Sequence, residues 1–348
     1  MSAEATGTIR AVEIQQFGLD HLALVERPVP RPGPRQVLMR IRAVSLNSRD
    51  LMMAEGRYNP KQKLPLIPCS DGAGEVVAVG EGVTRVRPGD RVCSIFAQGW
   101  LAGEPSRDLT RTTLGGPLDG TLAEQVILGE EGLVKAPDHL SDLEAATLPC
   151  AALTAWSSMI EGGLAPGNTV LLQGTGGVSI FALQFAVMAG ARAIITSSSD
   201  EKLERARQLG AAAGINYRQV PDWGQRVKEL TGGEGVDYVL EVGGASTLPH
   251  SLQAVRAGGK IYLIGVLGGT AIEFPLTAIL MRRVRIEGVL VGSRASFEAM
   301  NRAVSLHQLR PVIDRTFPLA EARAAFEHMA SGRHLGKICI ELSGNHRP

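Results

Sequence analysis

Nine consecutive residues, Val170-Leu171-Leu172-Gln173-Gly174-Thr175-Gly176-Gly177-Val178, are the part of this sequence best suited to chemistry. The short apolar run has the make-up of a buried parallel strand. The glycines allow the backbone to turn tightly and approach a pyrophosphate, which the first amides of the following apolar helix, Phe181 to Met188, can hold. A purely structural turn would use glycine for the same conformational reason. The context favours a nucleotide, because a second β-like run, Ala193 to Thr196, arrives at the spacing of a βαβ unit. Ser179 stands where the strict fingerprint has Gly or Ala, and it is still small enough for close helix-to-strand packing. The expected ligand is therefore a dinucleotide, with Gly174, Thr175, Gly176, Gly177 and Val178 around its phosphates.

The end of the second strand bears on which dinucleotide. A carboxylate there accepts from a ribose 2′-hydroxyl and repels a 2′-phosphate. This strand instead ends Thr196-Ser197-Ser198-Ser199, with Lys202 following. Hydroxyl donors from Ser197 and Ser198 and the Lys202 charge suit the phosphorylated cofactor, NADPH, over NADH. The acids next in line, Asp200 and Glu201, fit a capping box that opens Ser198-Ser199-Asp200-Glu201 and serves the helix N-terminus.

These groups need a scaffold, and the chain is long enough for two domains, with 348 residues of which 44% are hydrophobic. Net charge +1, from 36 basic and 35 acidic residues, leaves no surplus to attract nucleic acid or a membrane surface. The cysteines, Cys69, Cys93, Cys150 and Cys339, form no C-x-x-C pair, so neither a zinc knuckle nor a redox dithiol is signalled. No basic-then-apolar leader precedes the first strand pattern, and the longest apolar helix is interrupted by Gln184, so a cytoplasmic location is expected.

From Thr8 to about Leu133 the pattern is β: Val37 to Val44 and Glu75 to Val79 are short apolar runs among prolines and glycines. Residues Gln98 to Gly120 lack periodicity and read as a surface excursion that could shape a substrate mouth. Ser141-x-x-Glu144 is a capping box, with helix expected beyond Pro149 over Ala151 to Met159. Strands at Val170, Ala193, Ala213 to Asn216, Val236 to Glu241 and Lys260 to Val266 then alternate with helices, the sign of a doubly wound parallel sheet. A helix over Ala320 to Met329 and a strand over Lys337 to Leu342 should close back on the first domain.

This order of parts resembles the medium-chain dehydrogenase/reductase superfamily, over nearly the whole chain. The resemblance is carried by Asp71-Gly72-Ala73-Gly74-Glu75-Val76-Val77-Ala78-Val79-Gly80, Val86-Arg87-Pro88-Gly89-Asp90-Arg91-Val92, Leu153-Thr154-Ala155-Trp156 and the glycine turn. It implies an α/β protein with a β-rich GroES-like domain, residues 1–134 and 312–348, and a Rossmann dinucleotide-binding domain, residues 135–311. In the zinc enzymes of the family a Cys would stand at Asn47 and a His at Ser70, leaving only Cys150 near a third ligand position. The four-Cys structural zinc lobe is also missing, so the resemblance narrows to the zinc-free, quinone-oxidoreductase-like branch with no metal site.

By the same resemblance Leu46-Asn47-Ser48-Arg49-Asp50-Leu51 is a substrate-facing turn. Asn47 either polarises the substrate oxygen through its amide or caps a helix starting at Ser48. Asp50 is expected to orient this loop through Arg49 or another base, and Cys150 to lie beside the nicotinamide. Tyr217 matches a residue that closes over the 2′-phosphate in quinone oxidoreductases. Further cofactor contacts are implied for Thr154, Val242, Gly265, Val266, Val291 and Lys337. The implied activity is NADPH-dependent, metal-independent hydride transfer to a quinone or to the C=C bond of an α,β-unsaturated carbonyl. The alternatives are an alcohol dehydrogenase or ketone reductase and a non-catalytic NADPH-binding protein. Family members commonly pair as homodimers through a sheet edge, for which Ile272 to Phe274 and Arg285 to Val291 are the candidate strands.

Overall fold

A computed structural model describes residues 7–342. They fall into two compact units, one running to Leu153 and resuming at Gly292, the other spanning Thr154–Val291.

The Thr154–Val291 unit is built on a parallel sheet. Its strands are β1 (Thr169–Leu172), β2 (Arg192–Ser197), β3 (Ala213–Asn216), β4 (Val236–Glu241), β5 (Val255–Leu263) and β6 (Arg285–Gly288), ordered β3-β2-β1-β4-β5-β6. Val170, Leu171 and Leu172 are all fully buried. A parallel sheet is covered on both faces, so its central strands must be apolar without alternation. The direction of strand order reverses between β1 and β4, and in such sheets the ligand crevice opens at the carboxyl ends of the strands flanking that reversal. The glycine turn leaves β1 there. The helix it feeds, Gly177–Met188, buries Ile180, Phe181, Leu183 and Phe185. Trp156 meets Phe185 edge-on at 5.6 Å.

Three expectations need correction in this unit. Strand β5 begins at Val255 and stops at Leu263, short of Val266, because the Ile264 and Gly265 amides turn to the Glu241 carbonyl. Ile272 to Phe274 is not a strand. Its side chains pack on the apolar cluster under the sheet, but its backbone joins no ladder. The edge strand ends at Gly288, before Val291, whose φ of 52° takes the chain out of the extended region.

The other unit is β-rich. A hairpin, Thr8–Ile14 with Leu22–Pro28, accompanies a seven-stranded sheet in which Gln36–Ser45 is central. Asp71–Val79 and Gln125–Gly129 both pair antiparallel with it. The C-terminal strand Lys337–Glu341 joins the same sheet, with Cys339 opposite Ser45, so the chain does return to its first domain. Gly336 makes that entry possible: it sits at φ 76°, and a Cβ there would lie 2.3 Å from the Val312 carbonyl oxygen.

The unit borders at Leu153/Thr154 and Val291/Gly292 differ from the expected 134/135 and 311/312. Local contacts explain this. The helix Asp142–Ala145, capped by Ser141 as expected, is held to the sheet by Arg91 on Asp142 at 2.7 Å. The helix Arg294–Leu306 is tied on by Asn301, which donates to the Lys135 carbonyl at 3.0 Å. The expected helix beyond Pro149 is present but unevenly wound. It is π-helical over Leu148–Ala152 and Ser157–Glu161 and α-helical only over Leu153–Trp156.

Candidate functional site

In the parallel-sheet unit, Gly174 leaves β1 at φ 71°, a conformation that favours glycine. A Cβ added at Gly174 or Gly176 would meet no atom within 4 Å, so this is an open cradle. Gly176 is the N-cap of the twelve-residue helix and supplies no side-chain acceptor. The first-turn amides that every helix leaves without intrahelical partners are therefore available to an anion. Ser179 is buried, and its hydroxyl donates to the Gln173 carbonyl at 2.6 Å, which pins the helix to the end of β1. A serine at this fingerprint position is thus compatible with close packing.

The Gly174 amide reaches the Thr196 hydroxyl at 3.3 Å, and the Tyr217 amide donates to the Ser197 carbonyl at 3.0 Å. The turn, the serines and Tyr217, whose side chain is exposed, therefore share one end of the sheet. The expected capping box is corrected. The N-cap of the Asp200–Gln208 helix is Ser199, which accepts from the Lys202 amide at 3.4 Å and puts a lysine where the box needs an acid. Asp200 instead accepts from Asn216 and Gln219, each at 2.8 Å, and these bonds lower its pKa. That carboxylate is engaged without a ribose.

Motif and spacing do not single out Glu241. This fully buried carboxylate ends β4 and accepts from the Gly243 and Gly244 amides at 2.8 and 2.9 Å and from Thr247, Ser251 and Gln173 side chains. Gln173 in turn accepts from the Val242 amide at 3.1 Å. The network ties the end of β1 to the loop after β4 and leaves no buried charge unsupported. Val242 and Gly265 approach so closely that a Cβ on Gly265 would lie 2.6 Å from the Val242 carbonyl oxygen, and Val266 beside them is exposed. Thr154 and Val291 are buried at the borders of the unit.

In the β-rich unit three strand ends converge. Asn47 lies two residues past Gln36–Ser45, Asp71 opens Asp71–Val79, and Lys337 opens Lys337–Glu341. Asn47 is the N-cap of the helix Ser48–Ala54, and its backbone amide donates to Asp50 at 2.8 Å. Its side chain does something else. Lys337, 3% exposed, donates from Nζ to Asn47 Oδ1 and to the Leu46 carbonyl, both at 2.6 Å. Asn47 Nδ2 is buried and has no partner of good geometry, although the amide lies close enough to favour the Asp71 carboxylate.

Asp71 is the hub of the cluster. It accepts from the Ser70 hydroxyl at 2.7 Å and from the Cys150 backbone amide at 3.2 Å, so positions 47, 70 and 150 do come together. Burial pushes its carboxyl up, while the Lys337 charge, Asn47, Ser70 and the Cys150 amide oppose the shift. Asp50 is fully buried and is pushed up to about 6 by burial, with Asp71 adding to the rise and Arg49 resisting it. Burial followed by Asp71 also drives the Cys150 thiol well above its usual range, so it stays protonated and poorly nucleophilic.

Arg49 reaches out of the same helix to the carbonyls of Leu114, at 2.8 Å, and Gly116, and lies over the rings of Tyr58 and Phe96 at 4.9 and 5.0 Å. The end of the Gln98 to Gly120 excursion is therefore anchored beside the cluster. The donor set does not fit a zinc ion. An amide and a hydroxyl stand where a thiolate and an imidazole would be needed, the amide oxygen already accepts from an ammonium, and no group of three His, Cys, Asp or Glu among the described residues could hold a metal.

Comparison with known proteins agrees with this architecture. Residues 33–138 match the alcohol dehydrogenase GroES-like domain, and residues 177–305 match the zinc-binding dehydrogenase family. A zinc-type alcohol dehydrogenase-like protein of Schizosaccharomyces pombe is 42% identical over 93% of this chain and 96% of its own. The solved structure of an NAD-dependent alcohol dehydrogenase superposes with a TM-score of 0.88 at 35% identity, covering 96% of this chain and all of that one. An acryloyl-coenzyme A reductase of Metallosphaera sedula is 29% identical over 89% of this chain and 93% of its own. No described helix is long and apolar enough to cross a membrane.

Proposed function

The chain belongs to the medium-chain dehydrogenase/reductase superfamily, and within it we propose that it is an NADPH-dependent reductase of conjugated carbonyl compounds or quinones that works without zinc. The observation that carries this reading is the replacement of a metal donor set by Asn47, whose buried Nδ2 has no partner of good geometry while Lys337 holds its oxygen. When bound, the reduced nicotinamide supplies a hydride. An α,β-unsaturated carbonyl accepts that hydride at carbon, so the charge to be stabilised grows on an oxygen, where one aimed N–H donor is effective in a dry site. Asn47 Nδ2 is that donor. Asp50 holds the Asn47 backbone, and Arg49 fixes the neighbouring loop. Cys150 fills space as a neutral thiol.

The phosphorylated cofactor is favoured by the Ser197-Ser198 hydroxyls, by Lys202 and by the engagement of Asp200 with Asn216 and Gln219. A second reading, reversible oxidation of an alcohol, draws on the names of the alcohol dehydrogenase relatives. Steady-state kinetics with both cofactors against 2-cyclohexen-1-one, 1,4-benzoquinone and simple ketones and alcohols separate the two. The expected result is turnover of the enone or quinone, with Lys202→Ala weakening NADPH about tenfold more than NADH. Turnover confined to unconjugated alcohols and ketones, or an NADH preference indifferent to Lys202, would overturn the proposal.

A further inference from the structure

We infer that Lys337 is a positioning residue for the reduction. It fixes the Asn47 amide with its N–H₂ end turned away from the ammonium, where one N–H can face the substrate oxygen, and it places a positive charge behind that amide. This inference rests on the reading of Asn47 as the oxygen's donor and extends it to the residue that makes Asn47 a donor.

A side-chain amide has two ends of nearly equal shape, and which end faces a ligand depends on the partner at the other. Lysine can only donate. With Nζ 2.6 Å from the amide oxygen, the orientation of Asn47 is dictated by chemistry, and Nδ2 is the end left over. Nδ2 has no well-aligned partner on a residue only 8% exposed; the Asp71 carboxylate beside it takes at most one of its two N–H bonds, which leaves the other for a substrate oxygen. The Lys337 ammonium is also held by the Leu46 carbonyl, so it cannot swing away when a substrate arrives. Its charge polarises the amide in the direction that strengthens the Nδ2 donor as the oxygen becomes negative. Buried Asp50 and Asp71 offset that charge in the resting protein.

The test compares Lys337→Gln, Asn47→Ala and the double variant, with NADPH and 2-cyclohexen-1-one or 1,4-benzoquinone. Lys337→Gln is expected to lower kcat about 30-fold while the KM for NADPH stays within about twofold. On the Asn47→Ala background the same change is expected to cost nothing further, because the group it positions is gone. A second readout needs no turnover: binding of 4-nitrophenolate, a negative oxygen on a flat ring, is expected to weaken about tenfold in each single variant and no more in the double. Losses that multiply in the double variant, or a raised KM for NADPH with kcat intact, would overturn the positioning role. If Lys337→Gln does not fold, Lys337→Arg keeps the charge and moves the donors. A kcat loss of about threefold that vanishes on the Asn47→Ala background supports the proposal, and an equal loss on both backgrounds overturns it. Wild-type kcat and phenolate affinity in Asn47→Ala would instead refute the reading of Asn47 itself, whatever Lys337→Gln does.

Discussion

The glycine turn after β1 and the Asn47–Asp71–Lys337 cluster are both suited to hold something negative, and they are built in opposite ways. The turn is open: space lies where side chains would be, and helix amides stand without a capping side chain. The cluster is closed, with every charge buried and almost every polar atom engaged. An open cradle of backbone donors suits a phosphate, which brings its own full charge and tolerates water. A closed cluster suits a charge that exists only during reaction, because donors fixed beforehand need not reorganise when it appears. Under the proposed function, recognition of the cofactor and stabilisation of the reacting oxygen fall to different physical devices.

Removing the donor from the closed cluster should have the largest effect. Asn47→Ala is expected to lower kcat roughly 100-fold or more with little change in the KM for NADPH, and to cost about 1–3 kcal/mol of stability because the buried Lys337 ammonium loses an acceptor. Steady-state kinetics and a denaturant titration check both parts. Next is the cost of closure itself. Asp50 has an ordinary pKa of 3.8 and is held at about 6 in the folded protein, so folding favours its protonated form. Stability should therefore fall as pH rises from about 4 to about 6 and stay reduced above, by up to roughly 3 kcal/mol. Asp50→Asn, which keeps an acceptor for the Asn47 amide without the charge, should flatten that slope in unfolding experiments. A slope unchanged by the substitution would show that another group titrates.

The open turn should respond differently. Gly176 lies in an extended conformation that any residue adopts, and no atom stands within 4 Å of its missing Cβ. Gly176→Val should therefore leave the melting temperature nearly unchanged while raising the Kd for NADPH about 30-fold. A variant that loses stability and binding together would mean the space is needed by the fold and not by a ligand.

The same contrast decides what the sequence could reveal. The glycine turn, its strand and its helix are contiguous, so their spacing states their geometry. So do the Ser141 capping box and the alternation that gives a doubly wound sheet. The bond that defines the closed cluster joins residues 290 positions apart. Lys337 consequently read as one more implied cofactor contact, and its hold on Asn47 was invisible. Glu241 was missed for a similar reason, since its partner Gln173 lies 68 positions away. Arg49 anchors a loop 65 positions downstream. Asn47 stands at the N-cap, as one of its two readings expected, while its side chain turns to Lys337, which neither reading foresaw. The strand expected at Ile272 to Phe274 failed because alternation records which side chains are buried, not whether the backbone has a partner.

The most direct test is the NADPH-dependent rate on 2-cyclohexen-1-one or 1,4-benzoquinone, measured across preparations from chelator-stripped to zinc-supplemented with metal content determined on each. If Asn47 and Lys337 polarise the substrate, the rate per chain is the same in all of them. A rate that rises in proportion to bound zinc contradicts that assignment.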